Sequence, residues 1–316
     1  MDRDVWMLVT QAIGRATRSA KSSVLHPRFA DSLIVAMYLW TVWHDRPLCW
    51  ASDRSHYGSL FRPRKLPSVS QFTRRVKTDS VRIALQAVHD DLARTHLSSP
   101  VAYLDGKALA VSPVSKDRDA KRGRVSGGFA RGYKLHAYAS EDGRIPLWSV
   151  MPLNVAEQSV AAALMAHAAE NAPHLLAALT MADSNYDSAA LHKLLAHAAD
   201  GTADGDGRLE LLTPLKGQKR VKGGVHHPVT LRQMGPARRQ LAATWKADPG
   251  LCRHVLRDRD DIERTFGILT CTGGGLGPLP AWVRTLERVR RWVGAKIALY
   301  HARLQVRQRQ VEMDAA

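Results

Sequence analysis

The stretch PVAYLDGK, residues 100–107, places an acidic side chain at the end of an apolar segment. The run from Val101 to Leu104 is typical of a buried strand, and Asp105 follows it directly. A carboxylate at such a position must be paired or bound to a cation, because an isolated buried charge is very costly. Residues 178–183, ALTMAD, repeat the arrangement and end on Asp183. The two stretches predict two buried strands that each end on an acid.

The segments around these two strands predict an α/β domain at residues 99–316, with a basic insertion at 214–250. Its predicted order is strand, strand, strand, helix, strand, helix, strand, helix, at 101–111, 133–140, 144–151, 156–171, 178–182, 187–198, 209–213 and around Glu263. A final long helix follows after 280. A hairpin that leads into a mixed sheet flanked by helices suits an RNase H-like fold.

The first 98 residues predict a separate all-α domain. Helices are expected at 5–16, 29–44 and 80–97, and the capping box of Ser68 and Gln71 predicts a short basic helix before the last of these. Such a set resembles a helix-turn-helix domain, in which Arg74, Arg75 and Lys77 would contact a DNA groove or its phosphates. The alternative is an all-α domain with a solvated basic face.

The charge of the chain indicates a polyanionic partner. The 316 residues contain 46 Lys and Arg against 29 Asp and Glu, a net charge of +17, which favours nucleic acid over a membrane surface. Cys49, Cys252 and Cys271 lie too far apart in sequence for a zinc site or a disulfide framework, so we expect a cytoplasmic location. The longest apolar run, 33–43, is about half of the roughly 20 residues that a membrane span needs.

Residues 257–269 predict a helix that carries a third acid. Ile262, Phe266 and Leu269 recur at steps of four and three, so one face is buried, and Glu263 lies at the edge of that face. Arg259 precedes Glu263 by one turn. Two interpretations of Glu263 therefore stay open: it is a functional carboxylate, or it forms a surface ion pair with Arg259 or Arg264.

Three oxygen-donating acids are a plausible site for two Mg²⁺ or Mn²⁺ ions. Such a pair activates a water or a 3′-hydroxyl and stabilises the leaving oxygen of a phosphodiester. Asp105 would bridge the two ions, and Asp183 and Glu263 would each complete one. The alternative for each aspartate is a strand-end acid that pairs with an arginine or caps a turn. With 29 acids in the chain, the trio is informative only through the context of its members.

Five local motifs occur in the order found in one enzyme family. They are LDG at 104–106, GYKLH at 132–136, NVAE at 154–157, ADSNYDS at 182–188, and RDDIERTF at 259–266. Together they resemble the DDE transposases of bacterial insertion sequences, over roughly residues 30–305. Leu256 and Thr270 stand where one branch of that family has Tyr and Lys, so the roles of those two residues do not carry over.

The resemblance implies a metal-dependent transposase with Asp105, Asp183 and Glu263 as catalytic residues. It would bind terminal inverted repeats, hydrolyse the strand at the element's ends and join the 3′-hydroxyl to target DNA. The implied partners are double-stranded DNA and a second subunit in the DNA complex, in a bacterial cytoplasm and at the nucleoid when bound. Arg259 would hold a DNA phosphate near the ions. The alternatives are a DNA-binding protein of this fold without catalysis, and a nuclease that cuts without joining.

Further DNA contacts are expected from two basic segments and one strand. Residues 112–134 hold seven Lys or Arg against two Asp, and residues 216–246 hold eight and no acid. Both could follow the phosphate backbone or form solvated faces. Trp245 could stack on a flipped base or belong to the core, and Lys134 and His136 share a strand face that could approach DNA or line a sheet edge. The candidates in the two segments are Arg122, Arg124, Lys219, Arg220 and Lys222.

Overall fold

The computed structural model describes residues 2–19, 28–94, 100–198, 210–215, 219–221, 224–226, 235–271 and 275–315. The helices are α1 Asp2–Ser19, α2 Asp31–Trp43, α3 Val69–Arg75, α4 Asp79–Ala93, α5 Glu157–Asn171, α6 Ala189–Ala198, α7 Pro236–Ala247, α8 Pro249–Val255, α9 Asp260–Cys271 and α10 Leu286–Asp314. The strands are β1 Val101–Ala110, β2 Lys121–Val125, β3 Gly128–Ser140, β4 Leu147–Pro152, β5 Leu179–Ala182, β6 Glu210–Leu212, β7 Lys219–Val221 and β8 Gly224–His226.

The first of two compact units is helical and comprises Met1–Arg94, Val111–Asp119 and Gly267–Ala316. Helices α1, α2 and α4 pack against α10, which buries Val289, Val293 and Ile297 along one face. The segment 111–119 holds the start of α10, because the carboxylates of Asp117 and Asp119 accept hydrogen bonds from the backbone N–H groups of residues 285 and 286 at 3.0 and 2.9 Å. Among the described residues, no helix is long and apolar enough to cross a membrane.

The two units do not divide the chain as the sequence predicted. The observed boundary near residue 94 is close to the predicted one at 98, but the final helix, predicted to belong to the catalytic domain, lies in the helical unit. The physical reason is that α10 shares its apolar face with α1, α2 and α4. The short basic α3 has the predicted capping box between Ser68 and Gln71.

The second unit, Thr95–Ala110 and Ala120–Phe266, is built on a mixed six-stranded sheet. Strand β3 pairs antiparallel with β1 on one side and with β2 and β4 on the other. Strand β1 then pairs parallel with β5, and β5 pairs parallel with β6. Helices α5 and α6 cover part of the sheet, with Leu104, Tyr138 and Tyr186 fully buried in the shared core. The predicted mixed sheet flanked by helices is therefore confirmed.

Two glycines allow close backbone approach within this sheet. A Cβ on Gly132 would lie 2.3 Å from the carbonyl oxygen of Leu109 on β1, and one on Gly123 would lie 2.2 Å from that of Leu153. Both distances are far below any real carbon–oxygen contact, so these positions exclude a side chain. Gly132 therefore lets β3 run close to β1, and Gly123 lets β2 run close to Leu153, the residue after β4.

Two basic segments contain regular elements that the sequence patterns did not predict. Strand β2 lies in the segment 112–134, where its charged residues give no alternating pattern because only Gly123 is buried. The hairpin of β7 and β8 lies within residues 216–246, and α7 begins in this segment and ends at Ala247. The apolar face of α7 is short, with Leu241 buried beside Arg238, which explains why its periodicity is weak.

Candidate functional site

The sheet brings two of the predicted acids next to each other. In the parallel pairing of β1 with β5, Leu104 is in register with Ala182, so Asp105 and Asp183 are the next residues on adjacent strands. Asp105 accepts a hydrogen bond from the amide of Gly106 at 2.7 Å. Asp183 accepts one from the amide of Asn185 at 2.8 Å and one from its side chain at 3.0 Å. These local hydrogen bonds orient both carboxylates.

Asp105 lies in an environment that disfavours its charge. The pKa of Asp105 is raised to about 6, mainly by burial. The amide of Gly106 and the charge of Arg259 lower it, whereas the carboxylates of Asp183 and Glu157 raise it. Several carboxylates thus act on one partly buried carboxyl group. Such a site favours a bound cation or a proton.

Glu157 and Tyr186 also belong to this group, although neither was predicted as a site residue. Glu157, the first residue of α5, forms an ion pair with Lys134 of β3 in a partly buried position. The hydroxyl of Tyr186 is buried and has no hydrogen-bond partner among the residues that the structure describes. It lies 3.3 Å from where a Cβ on Gly106 would stand, and burial followed by the charges of Glu157, Asp105 and Asp183 raises its pKa. We call Asp105, Asp183, Glu157 and Tyr186 the carboxylate centre.

Arg259 connects the third predicted acid to this centre. It ends the 3-10 turn before α9, acts on the charge of Asp105, and lies 3.6 Å from the carboxylate of Glu263. The Glu263 side chain is 63% exposed. The expected i, i+4 pair of Arg259 and Glu263 is therefore present, with Glu263 turned towards solvent.

The start of α9 is held against β1 by a second contact. Tyr103, two residues before Asp105, is buried and shares a hydrogen bond with the carboxylate of Asp261. Burial and the charge of Asp261 raise the pKa of Tyr103 to about 12, so it remains a donor at neutral pH. Because Tyr103 and Asp105 lie on the same face of β1, this contact places the residues around Asp261 above the strand that carries Asp105.

A complete metal-binding cluster is not formed by these side chains. Within the part of the chain that the structure describes, no three His, Cys, Asp or Glu side chains stand close enough together to hold an ion. Asp105 and Asp183 are neighbours, while Glu263 pairs with Arg259 instead. The oxygen donors and the unpartnered Tyr186 hydroxyl nevertheless match the chemistry of a hard divalent cation.

Basic side chains border a groove beside the centre. The groove has a volume of about 310 Å³ and is lined by Arg124, Lys134, Glu157 and Asn185 among others. Arg122 and Arg124 are exposed on β2, and the guanidinium of Arg122 lies 5.7 Å from the centre of the exposed Phe129 ring. The two arginines predicted to contact DNA are therefore accessible on a strand next to the site.

The structure does not support two of the other predicted contacts. His136 is fully buried on a strand that is paired on both sides, so its ring reaches neither DNA nor a sheet edge. Burial lowers the pKa of His136 to about 4, with Lys134 adding to the effect. Arg75 forms a largely buried ion pair with Asp31 and is therefore committed to the packing of α2 and α3.

The remaining residues predicted to contact DNA differ in whether their side chains are exposed, hydrogen-bonded or outside the described residues. Arg74 and Lys77 are exposed. The indole N–H of Trp245 donates to the carbonyl of Thr213 at 2.9 Å, which anchors α7 beyond the end of β6. Residue 222 lies outside the described residues, as do the side chains at 219 and 220, so the assignments of Lys219, Arg220 and Lys222 stay predictions.

A buried ion pair fixes the segment after Asp183. Arg238 of α7 donates to both oxygens of Asp187 at 2.8 and 2.6 Å, and the Asp187 side chain has no exposure. Asp187 stands at the start of the predicted helix 187–198, a position where an aspartate can cap the helix. Instead the hydroxyl of Ser188 accepts from the amide of Leu191 near the start of α6 at 3.2 Å, which leaves the Asp187 carboxylate for Arg238.

The comparisons with known proteins do not identify a family. No family model and no curated protein matches this chain. A piggyBac transposase synaptic complex with hairpin DNA, solved by cryo-electron microscopy, is weakly similar in structure, with a TM-score of 0.43 and 10% identity over 96% of this chain and 72% of that one. A similarity of this size carries no argument about the chemistry of the carboxylate centre.

Proposed function

We propose that this protein is a metal-dependent DNA transposase whose catalytic unit has an RNase H-like fold. It would cut one DNA strand at each end of a mobile element and join the resulting 3′-hydroxyl to target DNA. The observation that carries the proposal is the register of β1 with β5, which brings Asp105, in the middle of β1, beside Asp183, the residue that follows β5.

The order of the sheet supports the same proposal. With β2 set aside, the strands run β4, β3, β1, β5, β6, and only β3 lies antiparallel to β1 and β5. Asp105 lies on β1, Asp183 directly follows β5, and Glu263 lies on the late helix α9. This is the arrangement that the sequence resemblance implies for the catalytic unit.

The carboxylates would hold divalent cations, Mg²⁺ or Mn²⁺. Asp105 and Asp183 would be ligands, and the exposed side chain of Glu263 can leave Arg259 by changing its rotamer. When bound, the ions would activate the attacking oxygen and neutralise charge at the scissile phosphate. Arg259, released from Glu263, would then donate to a DNA phosphate.

The basic residues next to the centre would position the duplex. Arg122 and Arg124 on β2 are exposed. The Lys134 side chain lies next to Asp105, because its Cδ is 2.8 Å from where a Cβ on Gly106 would stand. In the helical unit, Arg74 and Lys77 would contact the terminal repeats if α3 and α4 act as a helix-turn-helix. Transposition pairs two ends, so a homodimer is expected in the DNA complex.

The proposal is tested with the DNA that borders this reading frame. A supercoiled plasmid that carries these borders is incubated with the protein and Mg²⁺, and nicked and joined products are separated by gel electrophoresis. We expect nicks at the element's ends, followed by covalent end-to-target products, and neither product with EDTA. Nicking without joining would indicate a nuclease. Specific binding to the ends without cleavage would indicate a DNA-binding protein that lacks catalysis.

A further inference from the structure

The helical unit contains a groove of about 300 Å³, separate from the one beside the carboxylate centre, that the proposed chemistry does not use. It lies between the end of α2, helix α3 and the start of α10, and all of its lining residues belong to the helical unit. This volume is at the lower end of the range for small-ligand sites. We call it the Trp282 groove.

The groove offers aromatic surface to solvent. Trp282 lines it and is 43% exposed, whereas Tyr38 and Trp292 form more deeply buried parts of its wall. An exposed indole next to a cavity provides a flat apolar surface that water solvates poorly. The side chain therefore favours a flat ligand that can stack on it.

The other accessible lining side chains are mainly cationic. Arg46, Lys77 and Arg288 line the groove and are exposed, and Arg291 lies beside them in an ion pair with Glu287. None of the lining residues is acidic. The groove therefore combines an aromatic surface with a positive rim, which complements a ligand with a flat ring and a negative charge.

We propose that the Trp282 groove binds one unpaired nucleotide of a DNA strand. The base would stack on Trp282, and the flanking phosphates would lie on Arg46, Lys77 and Arg288. A base inside a duplex has both faces covered by its neighbours, so only a base that is flipped out, frayed or in a single strand can stack on the indole. The inference does not depend on the proposed strand cleavage, because it involves no residue of the carboxylate centre.

The test measures binding of a fluorescein-labelled 15-nucleotide single strand and of the matching duplex by fluorescence anisotropy at fixed salt. Because one stacked base contributes about 1–3 kcal/mol, Trp282→Ala is expected to raise the Kd for the single strand by roughly 5- to 150-fold. Trp282→Phe, which retains a ring, is expected to restore most of the affinity. Duplex binding by Trp282→Ala is expected to stay near the wild-type value.

The charge of the rim is tested separately on the same helix. Arg288→Gln is expected to weaken single-strand binding several-fold, whereas Arg309→Gln, which removes an exposed charge far along α10, is expected to change it little. Thermal unfolding of each variant checks that the fold is retained. Wild-type single-strand affinity in Trp282→Ala would overturn the proposal, as would equal losses for single strand and duplex, or equal effects of the two arginine substitutions.

Discussion

At the scale of single residues, the carboxylates of the carboxylate centre repel one another, and a bound cation would relieve this repulsion. Burial raises the pKa of Tyr186, and the charges of Glu157, Asp105 and Asp183 raise it further. In the described part of the chain its hydroxyl has no hydrogen-bond partner. Each ionised carboxylate makes the next harder to ionise. A bound divalent cation would remove this repulsion, so metal binding and the ionisation of Asp105 should be linked.

Sequence reasoning identified part of this centre. Asp105 and Asp183 were predictable, because an acid directly after an apolar strand is costly unless it has a function or a partner. Glu157 and Tyr186 were not identified as site residues, although both lie within motifs that carry the resemblance. Nothing local indicates that the first residue of a helix or a tyrosine after a strand reaches β1, since those contacts depend on long-range packing.

His136 provides a prediction about pH and stability. Its pKa falls from an ordinary value of about 6.5 to about 4 in the folded protein, so below pH 6.5 the unfolded chain binds a proton that the folded chain does not. Between pH 7 and pH 5 this costs the folded state about 2 kcal/mol. The free energy of unfolding of wild type relative to His136→Leu should fall by that amount in urea titrations. A constant difference between the two proteins would contradict the neutral, buried histidine.

At the scale of elements, the ion pair of Arg238 with Asp187 connects α7 to the segment after β5. Arg238→Leu removes the bidentate partner of a fully buried carboxylate and leaves it contacts such as the His192 imidazole at 3.3 Å, which should lower the free energy of unfolding by about 3–5 kcal/mol. Arg82→Leu, which breaks the exposed pair with Asp79, serves as the control and should change it little. Chemical denaturation of both variants measures the difference, and similar small effects would mean that Asp187 finds another partner.

The close approach of β1 and β3 gives a second prediction at this scale. Gly132→Ala would push a methyl group against the carbonyl of Leu109 and should destabilise the protein by roughly 1–3 kcal/mol. Gly14→Ala in α1 meets no atom within 4 Å and should stabilise it by about 0.5–1 kcal/mol. Urea unfolding of the two variants measures both effects. Tolerance of alanine at residue 132 would show that the strands can separate without cost.

At the scale of elements, apolar periodicity predicts some strands and helices and fails to predict others. The mixed sheet and most helices follow from apolar periodicity, but β2 does not, because its pairing with β3 buries a single glycine rather than an apolar face. Helix α10 was predicted as a long final helix, but its place in the helical unit was not predicted. A pattern shows that a helix has an apolar face and does not show which helices cover it.

At the scale of the whole molecule, the net charge of +17 predicts salt-sensitive DNA binding. Contacts with about six to ten phosphates would reduce affinity roughly 10³- to 10⁵-fold between 50 and 200 mM salt. Replacing both Arg122 and Arg124 with Gln should reduce the slope of log K against log salt by about 1.8, since each phosphate contact contributes about 0.9. Electrophoretic mobility shifts over a salt series measure this slope. An unchanged slope would show that β2 does not contact DNA.

The most direct test of the account is Mg²⁺-dependent cleavage of the element's end DNA by four proteins: wild type, Asp105→Asn, Glu263→Gln and Asp260→Asn. Asp260 is an exposed acid at the start of α9 and is the matched control for Glu263. The account predicts that Asp105→Asn and Glu263→Gln lose cleavage by at least about 10²-fold and still bind the ends, while Asp260→Asn cleaves like wild type. Wild-type cleavage by Glu263→Gln or by Asp105→Asn would contradict it.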